Sequence, residues 1–151
     1  MATTTTPVRP SMTRAQRDRL TSDLRMACMR ISRRVRFESD RELPPHQFSV
    51  LCRLEGIART NSELAEIERV SAPSMKRTTA ALVEGGYVAR ADDPTDGRQV
   101  ILSLTPEGER AVGRIRRHRD EWMISRLDRL TDEERDLLRR AASVLAKVAS
   151  E

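Results

Sequence analysis

The sequence predicts a mainly α chain that carries one small β hairpin near its middle and long helices on either side. Three observations lead there. Apolar residues recur at helical spacing through three long stretches, from Leu20 to Val35, Val112 to Leu127 and Leu137 to Val148. Two β-type runs, Tyr87–Arg90 and Val100–Leu104, flank a polar stretch whose turn signal is Asp96-Gly97. The composition, with 38% apolar, 34% charged and only 3% aromatic residues, suits long helices with wide polar faces better than a thick sandwich core.

Residues 1–11 form a threonine-rich tail with Pro7 and Pro10; it offers nothing to bury and is expected to be disordered. A first helix is expected from Ser11 to Glu38. Its Leu20, Leu24, Ala27, Cys28, Ile31 and Val35 fall on one face, and Arg17, Arg25, Arg30, Arg33, Arg34 and Arg36 fall on others. Leu43-Pro44-Pro45 breaks the chain. His46–Leu54 is a second helix, with Phe48, Leu51 and Cys52 available for burial and Gly56 as its stop.

Thr60-Asn61-Ser62-Glu63 opens a third helix with a capping box, in which the Thr60 hydroxyl takes an amide and Glu63 reaches back. Leu64, Ala65 and Ile67 give it a short apolar face, and Val70 ends it. Ser71 is a fresh N-cap, and Pro73 sits in the next first turn, where its missing N–H costs nothing. A fourth helix therefore starts about three residues after the third stops, the spacing of a helix-turn-helix. On it, Met75, Thr79, Leu82 and Val83 should face a core. Ser74, Lys76, Arg77, Thr78 and Ala81 point elsewhere, and Gly85-Gly86 ends it. After the hairpin, Thr105 caps a helix over Pro106–Leu127. Thr131 and Glu134 box the start of the last one, whose stripe is Leu137, Leu138, Ala141, Val144, Leu145 and Val148.

Helix, tight turn, helix and charged hairpin in this order make a winged helix-turn-helix with a two-stranded β wing. The short and cationic side chains Ser74, Lys76, Arg77 and Thr78 let the fourth helix approach base edges, with Arg77 able to pair with guanine. Arg98, near the hairpin tip, suits a narrow minor groove, and Asp96 is placed to hold Arg98 or Arg90.

The chain resembles the MarR family of bacterial transcriptional regulators. The matching residues are Leu64-Ala65, Ser71, Arg77, Gly86, the wing set Arg90, Asp96 and Arg98, spaced R-x5-D-x-R, and Leu104-Thr105-x-x-Gly108. The resemblance implies a helical dimerisation region over 12–42 and 106–151 around a DNA-reading region over 43–105. It further implies a homodimer on a pseudo-palindromic operator in double-stranded DNA, repressing transcription. The DNA-binding residues would be Ser71, Ser74, Lys76, Arg77, Thr78, Arg90, Asp96 and Arg98. A small aromatic or anionic effector would release the DNA, with Arg33, His46 and Trp122 as candidate contacts.

Other functions find less support. The net charge of +5 is moderate, and the cations are almost all arginine, with lysine only at 76 and 147. No apolar run approaches the roughly 20 residues that cross a bilayer, and residues 1–10 lack the apolar segment of a secretory signal, so a bacterial cytoplasmic protein is expected. Two cysteines make no disulfide framework. Cys28 and Cys52 raise an oxidant sensor, but Cys28 lies mid-stripe and the only tyrosine, Tyr87, is on the wing, so packing is the expected role. His46 and His118, even with Cys28, Asp40 and Glu42, lack the spacing of a metal set. No catalytic motif occurs, and Asp92-Asp93 sit on the hairpin, so neither enzyme activity nor a cofactor is expected. A protein-binding winged-helix adaptor is the rival of another class.

Overall fold

A computed structural model describes residues 12–38, 42–92 and 99–150. The chain divides into two units, residues 1–34 and 35–151. The first is dominated by α1, Arg14–Glu38. This helix starts later than expected because Thr13 caps it. The Gln16 N–H donates to Thr13 Oγ1 at 3.3 Å, and the Thr13 N–H donates to Gln16 Oε1 at 2.9 Å. No residue of α1 is buried. Cys28, expected to pack as a small hydrophobe, is exposed. Its stripe-mates Leu20, Leu24 and Ile31 are 42–47% exposed.

The second unit runs α2 (Pro45–Arg53), β1 (Arg59–Thr60), α3 (Asn61–Glu68), α4 (Ala72–Glu84), β2 (Val88–Asp92), β3 (Val100–Leu104), α5 (Pro106–Leu127) and α6 (Asp132–Ser150). Its core is assembled from one side of each element. Phe48, Val50 and Leu51 come from α2, Leu64 and Ala65 from α3, Met75 and Leu82 from α4, Val88 and Leu102 from the strands, and Val112 and Ile115 from α5. Ile67, expected on the inner face of α3, is instead 37% exposed, because on so short a helix only Leu64 and Ala65 reach the core. Nothing of α6 is buried.

The wing hairpin pairs β2 with β3 antiparallel, Val88 opposite Leu104 and Asp92 opposite Val100. β2 therefore runs two residues further toward the tip than expected. A third strand joins it: β1 pairs with β3, Arg59 opposite Leu102, giving the order β1-β3-β2. Tyr87 stays out of the ladder because it completes the end of α4. With Gly86 at φ 76°, the Tyr87 N–H reaches the Leu82 carbonyl at 2.9 Å and the Gly86 N–H reaches that of Val83 at 3.0 Å, the paired bonds of a Schellman stop.

Candidate nucleic-acid interface

The site is the α3–turn–α4 unit with the wing beside it. Each helix start is fixed by its own sequence. The Thr60 hydroxyl accepts from the Glu63 N–H at 3.2 Å while Glu63 Oε2 accepts from the Thr60 N–H at 2.7 Å. Ser71 Oγ accepts from the Ser74 N–H at 3.4 Å, so Ser71 serves as the cap of α4. The turn between them is Arg69-Val70-Ser71. Arg69 takes the left-handed conformation at φ 54°, the one non-glycine residue with positive φ among those described. That lets the Val70 N–H return to the Ala65 carbonyl at 3.0 Å and close α3 without a glycine.

Met75, Thr79 and Leu82 bury the inner side of α4, at 2%, 3% and 0% exposure. That anchoring leaves Ser71, Ser74, Lys76 and Arg77 exposed and Thr78 half-buried on the outer side, as a groove-reading helix requires. Polar ties hold the unit to its neighbours. Glu68, the last residue of α3, accepts from Ser49 Oγ at 2.7 Å and from Arg53 Nε at 2.8 Å, both on α2. Partial burial pushes its carboxyl up. The hydrogen bonds from Arg53 and Ser49 outweigh that and hold it below the ordinary glutamate value. On the far side of α3, the Thr79 hydroxyl donates to Asn61 Oδ1 at 2.7 Å.

Residues 43–105 hold seven cationic side chains against eight acidic ones, so this region has no general positive field. Attraction for phosphate must come from where the cations stand. Arg53 is drawn to Glu68, whereas Lys76 and Arg77 stand on the open side of α4. Arg90 is exposed on β2, opposite Leu102. Asp93, Asp96 and Arg98 of the wing lie outside the described residues, as do residues 1–11 and Asp40.

The root of the wing gives the Leu-Thr-x-x-Gly run a physical reason. Thr105 Oγ1 accepts from the Gly108 N–H at 3.0 Å and donates to the Gly86 carbonyl at 2.7 Å, joining the start of α5 to the end of α4. The Thr105 N–H bonds the Tyr87 carbonyl at 3.0 Å. A Cβ on Gly108 would stand 2.1 Å from that same carbonyl oxygen, so the backbones approach too closely for any side chain.

The three candidate effector contacts do not share one setting. His46 is exposed and opens on a groove of about 500 Å³ beside α4, together with Glu68, Val70, Ser74, Arg77 and Thr78. Trp122 is not among that lining. It is half-buried on α5 beneath the Arg126 guanidinium, 3.9 Å from its ring. The indole N–H is buried with no acceptor among the described residues. Arg33 is exposed on α1, in the other unit.

Cys52 is half-buried, and burial raises its thiol pKa against the opposing pull of Arg116; a thiolate-based sensor would need the opposite. Among the described residues no three His, Cys, Asp or Glu side chains converge as a metal set, and no helix is long and apolar enough to cross a membrane.

Sequence reasoning missed Glu68 and Asn61. Their partners lie fifteen to nineteen residues away, and no local pattern announces such a pairing.

Known proteins agree with this architecture. Residues 43–100 match the MarR family, the stretch from just before α2 to the first residue of β3. An HTH-type transcriptional regulator of Mycobacterium tuberculosis is 44% identical over 136 residues, covering 88% of this chain and 94% of its own. A solved transcriptional regulator protein of Pseudomonas aeruginosa superposes with a TM-score of 0.78 at 30% identity, over 90% of this chain and 97% of that one. A MepR variant of Staphylococcus aureus, solved bound to an oligodeoxyribonucleotide, superposes with a TM-score of 0.66 over 86% and 97% of the two chains. At 16% identity that likeness concerns fold alone.

Proposed function

The chain belongs to the MarR family of transcriptional regulators, and from that premise we propose that it binds an operator in double-stranded DNA as a homodimer. It represses transcription there until a small aromatic or anionic ligand releases it. The observation that carries DNA binding is α4. Its inner side is pinned by Met75, Thr79 and Leu82, and its outer side offers Ser74, Lys76 and Arg77 to a groove. Ser71 and Thr78 stand at the margin of that surface, where phosphate contacts outnumber base contacts. Arg90, Asp96 and Arg98 of the wing supply the flanking contact, with Arg98 in the minor groove. The MepR neighbour, which shares the fold, was solved bound to an oligodeoxyribonucleotide.

Homodimer formation is supported by the two terminal helices. Leu137, Leu138, Val144, Leu145 and Val148 of α6 are 37–70% exposed, and α1 leaves its own stripe open. A monomer rarely leaves a continuous apolar stripe uncovered. The helical region of 12–42 and 106–151 thus serves assembly, and 43–105 serves reading.

Of the expected effector contacts, Arg33, His46 and Trp122, the groove beside α4 is lined by His46 alone. Trp122 offers a buried indole donor with no acceptor among the described residues. His46 stands in the groove beside Ser74, Arg77 and Thr78, so a ligand reaching it meets the reading helix itself. Release then requires only that the ligand prefer the DNA-free state.

Titration of labelled duplex DNA at rising salt tests the proposal. Logarithmic affinity should fall linearly with logarithmic salt as counterions are released. No retained duplex at low salt, with a protein partner captured instead, favours the adaptor and rejects DNA reading.

A further inference from the structure

The buried residues of α3 and α4 are apolar but for one. Leu64 and Ala65 of α3 and Met75 and Leu82 of α4 belong to one apolar cluster, and apolar contact has no direction: it tolerates small slides and rotations. Among these stands Thr79, the one buried polar side chain among the described residues, 3% exposed. Its hydroxyl donates to Asn61 Oδ1 at 2.7 Å and lies 3.2 Å from the carbonyl of Lys76 in its own helix. Asn61 is the first residue of α3, directly after the Thr60 cap, so its backbone is held by the capping box. Thr79 directly follows Ser74–Thr78, the segment that carries the reading side chains. A hydrogen bond loses strength steeply with misalignment. This bond is therefore a directional tie between α4 and the start of α3.

We propose that Thr79 and Asn61 are positioning residues for DNA recognition: their bond sets the register of the reading helix and so decides which base edges Ser74, Lys76 and Arg77 reach. The proposal rests on the DNA-reading function above. It separates two properties that packing alone would move together. A groove-reading helix displaced by a fraction of an ångström keeps its phosphate contacts, which long flexible cations can follow, and loses aligned base contacts. Asn61 is half-buried, so water can satisfy its amide when the hydroxyl is gone, and the fold tolerates the loss.

The test uses the full chain and a duplex enriched by it from a random pool, with an unenriched duplex as control. Thr79→Val keeps the volume and removes the hydroxyl; Thr79→Ser keeps the hydroxyl. Thr79→Val should bind the enriched duplex about tenfold more weakly, the scale of one base contact, and bind the control duplex as the wild type does. Thr79→Ser should restore discrimination, and Asn61→Ala should reproduce the Thr79→Val loss from the other side of the bond. Should Thr79→Val fail to fold, Asn61→Ala against the wild type decides the matter alone. Equal loss on both duplexes, no loss on either, or a Thr79→Ser protein as impaired as Thr79→Val overturns the positioning role. If the wild type enriches and retains no duplex, DNA reading falls and this inference with it.

Discussion

Two single residues bear on stability in opposite senses. Gly108 faces the Tyr87 carbonyl so closely that a methyl group would stand 2.1 Å from its oxygen. Gly108→Ala must push the start of α5 away from the wing root, and should destabilise the chain by about 2–3 kcal/mol, the cost of overpacking a tight site. A urea midpoint shift checks it. Arg69 is the reverse case: it holds the left-handed stop of α3 with a side chain that the conformation disfavours. Arg69→Gly relieves that strain at the expense of unfolded-chain entropy, for a net gain of about 0.5–1 kcal/mol read by the same urea titration. Arg98 belongs to function instead. Arg98→Ala should weaken operator binding by ~1–3 kcal/mol in a gel-shift titration at fixed salt. Unchanged affinity would take the minor-groove role from it.

The elements of the reading unit were legible because their signals are short. Thr60 with Glu63, Ser71 with Pro73, and Gly86 each act within three residues, and each helix began or ended where those residues put it. What needed a distant partner was not legible. β1 exists because Arg59 and Thr60 pair with Leu102 and Ile101, far along the chain. The link of α2 to α3 through Glu68 likewise depends on Ser49 and Arg53. That link predicts an acid response. The folded state holds Glu68 below its ordinary 4.5, so the unfolded chain takes up the proton first. The stabilisation is present in full above pH 4.5 and drains away as pH falls through the lower folded value. Wild type should melt above Glu68→Gln at neutral pH, and the two melting temperatures should converge in acid. A gap independent of pH would mean that the carboxylate's charge contributes nothing.

Burial across the chain was the property least legible in the sequence. The stripes of α1 and α6 were visible as patterns, and Cys28 was expected to be buried within one of them. Periodicity marks a face that needs covering and is silent on whether the same chain or a second copy supplies the cover. In the single chain Cys28 is exposed and no residue of α6 is buried, and the proposed homodimer would supply the cover. Leu137→Glu with Val148→Glu, both on α6, should leave a folded monomer in sedimentation. Operator affinity should then drop by roughly 10²–10⁴, the loss of a second linked reading head. A dimer persisting in this variant would place the interface elsewhere.

In the proposed function two copies of α4 read a duplex in symmetry. The most direct measurement is to sequence the duplexes that the protein enriches from a random pool. Two inverted half-sites about one helical turn apart, ~34 Å centre to centre, are predicted. An enriched pool without inverted symmetry, or no enrichment at all, would contradict it.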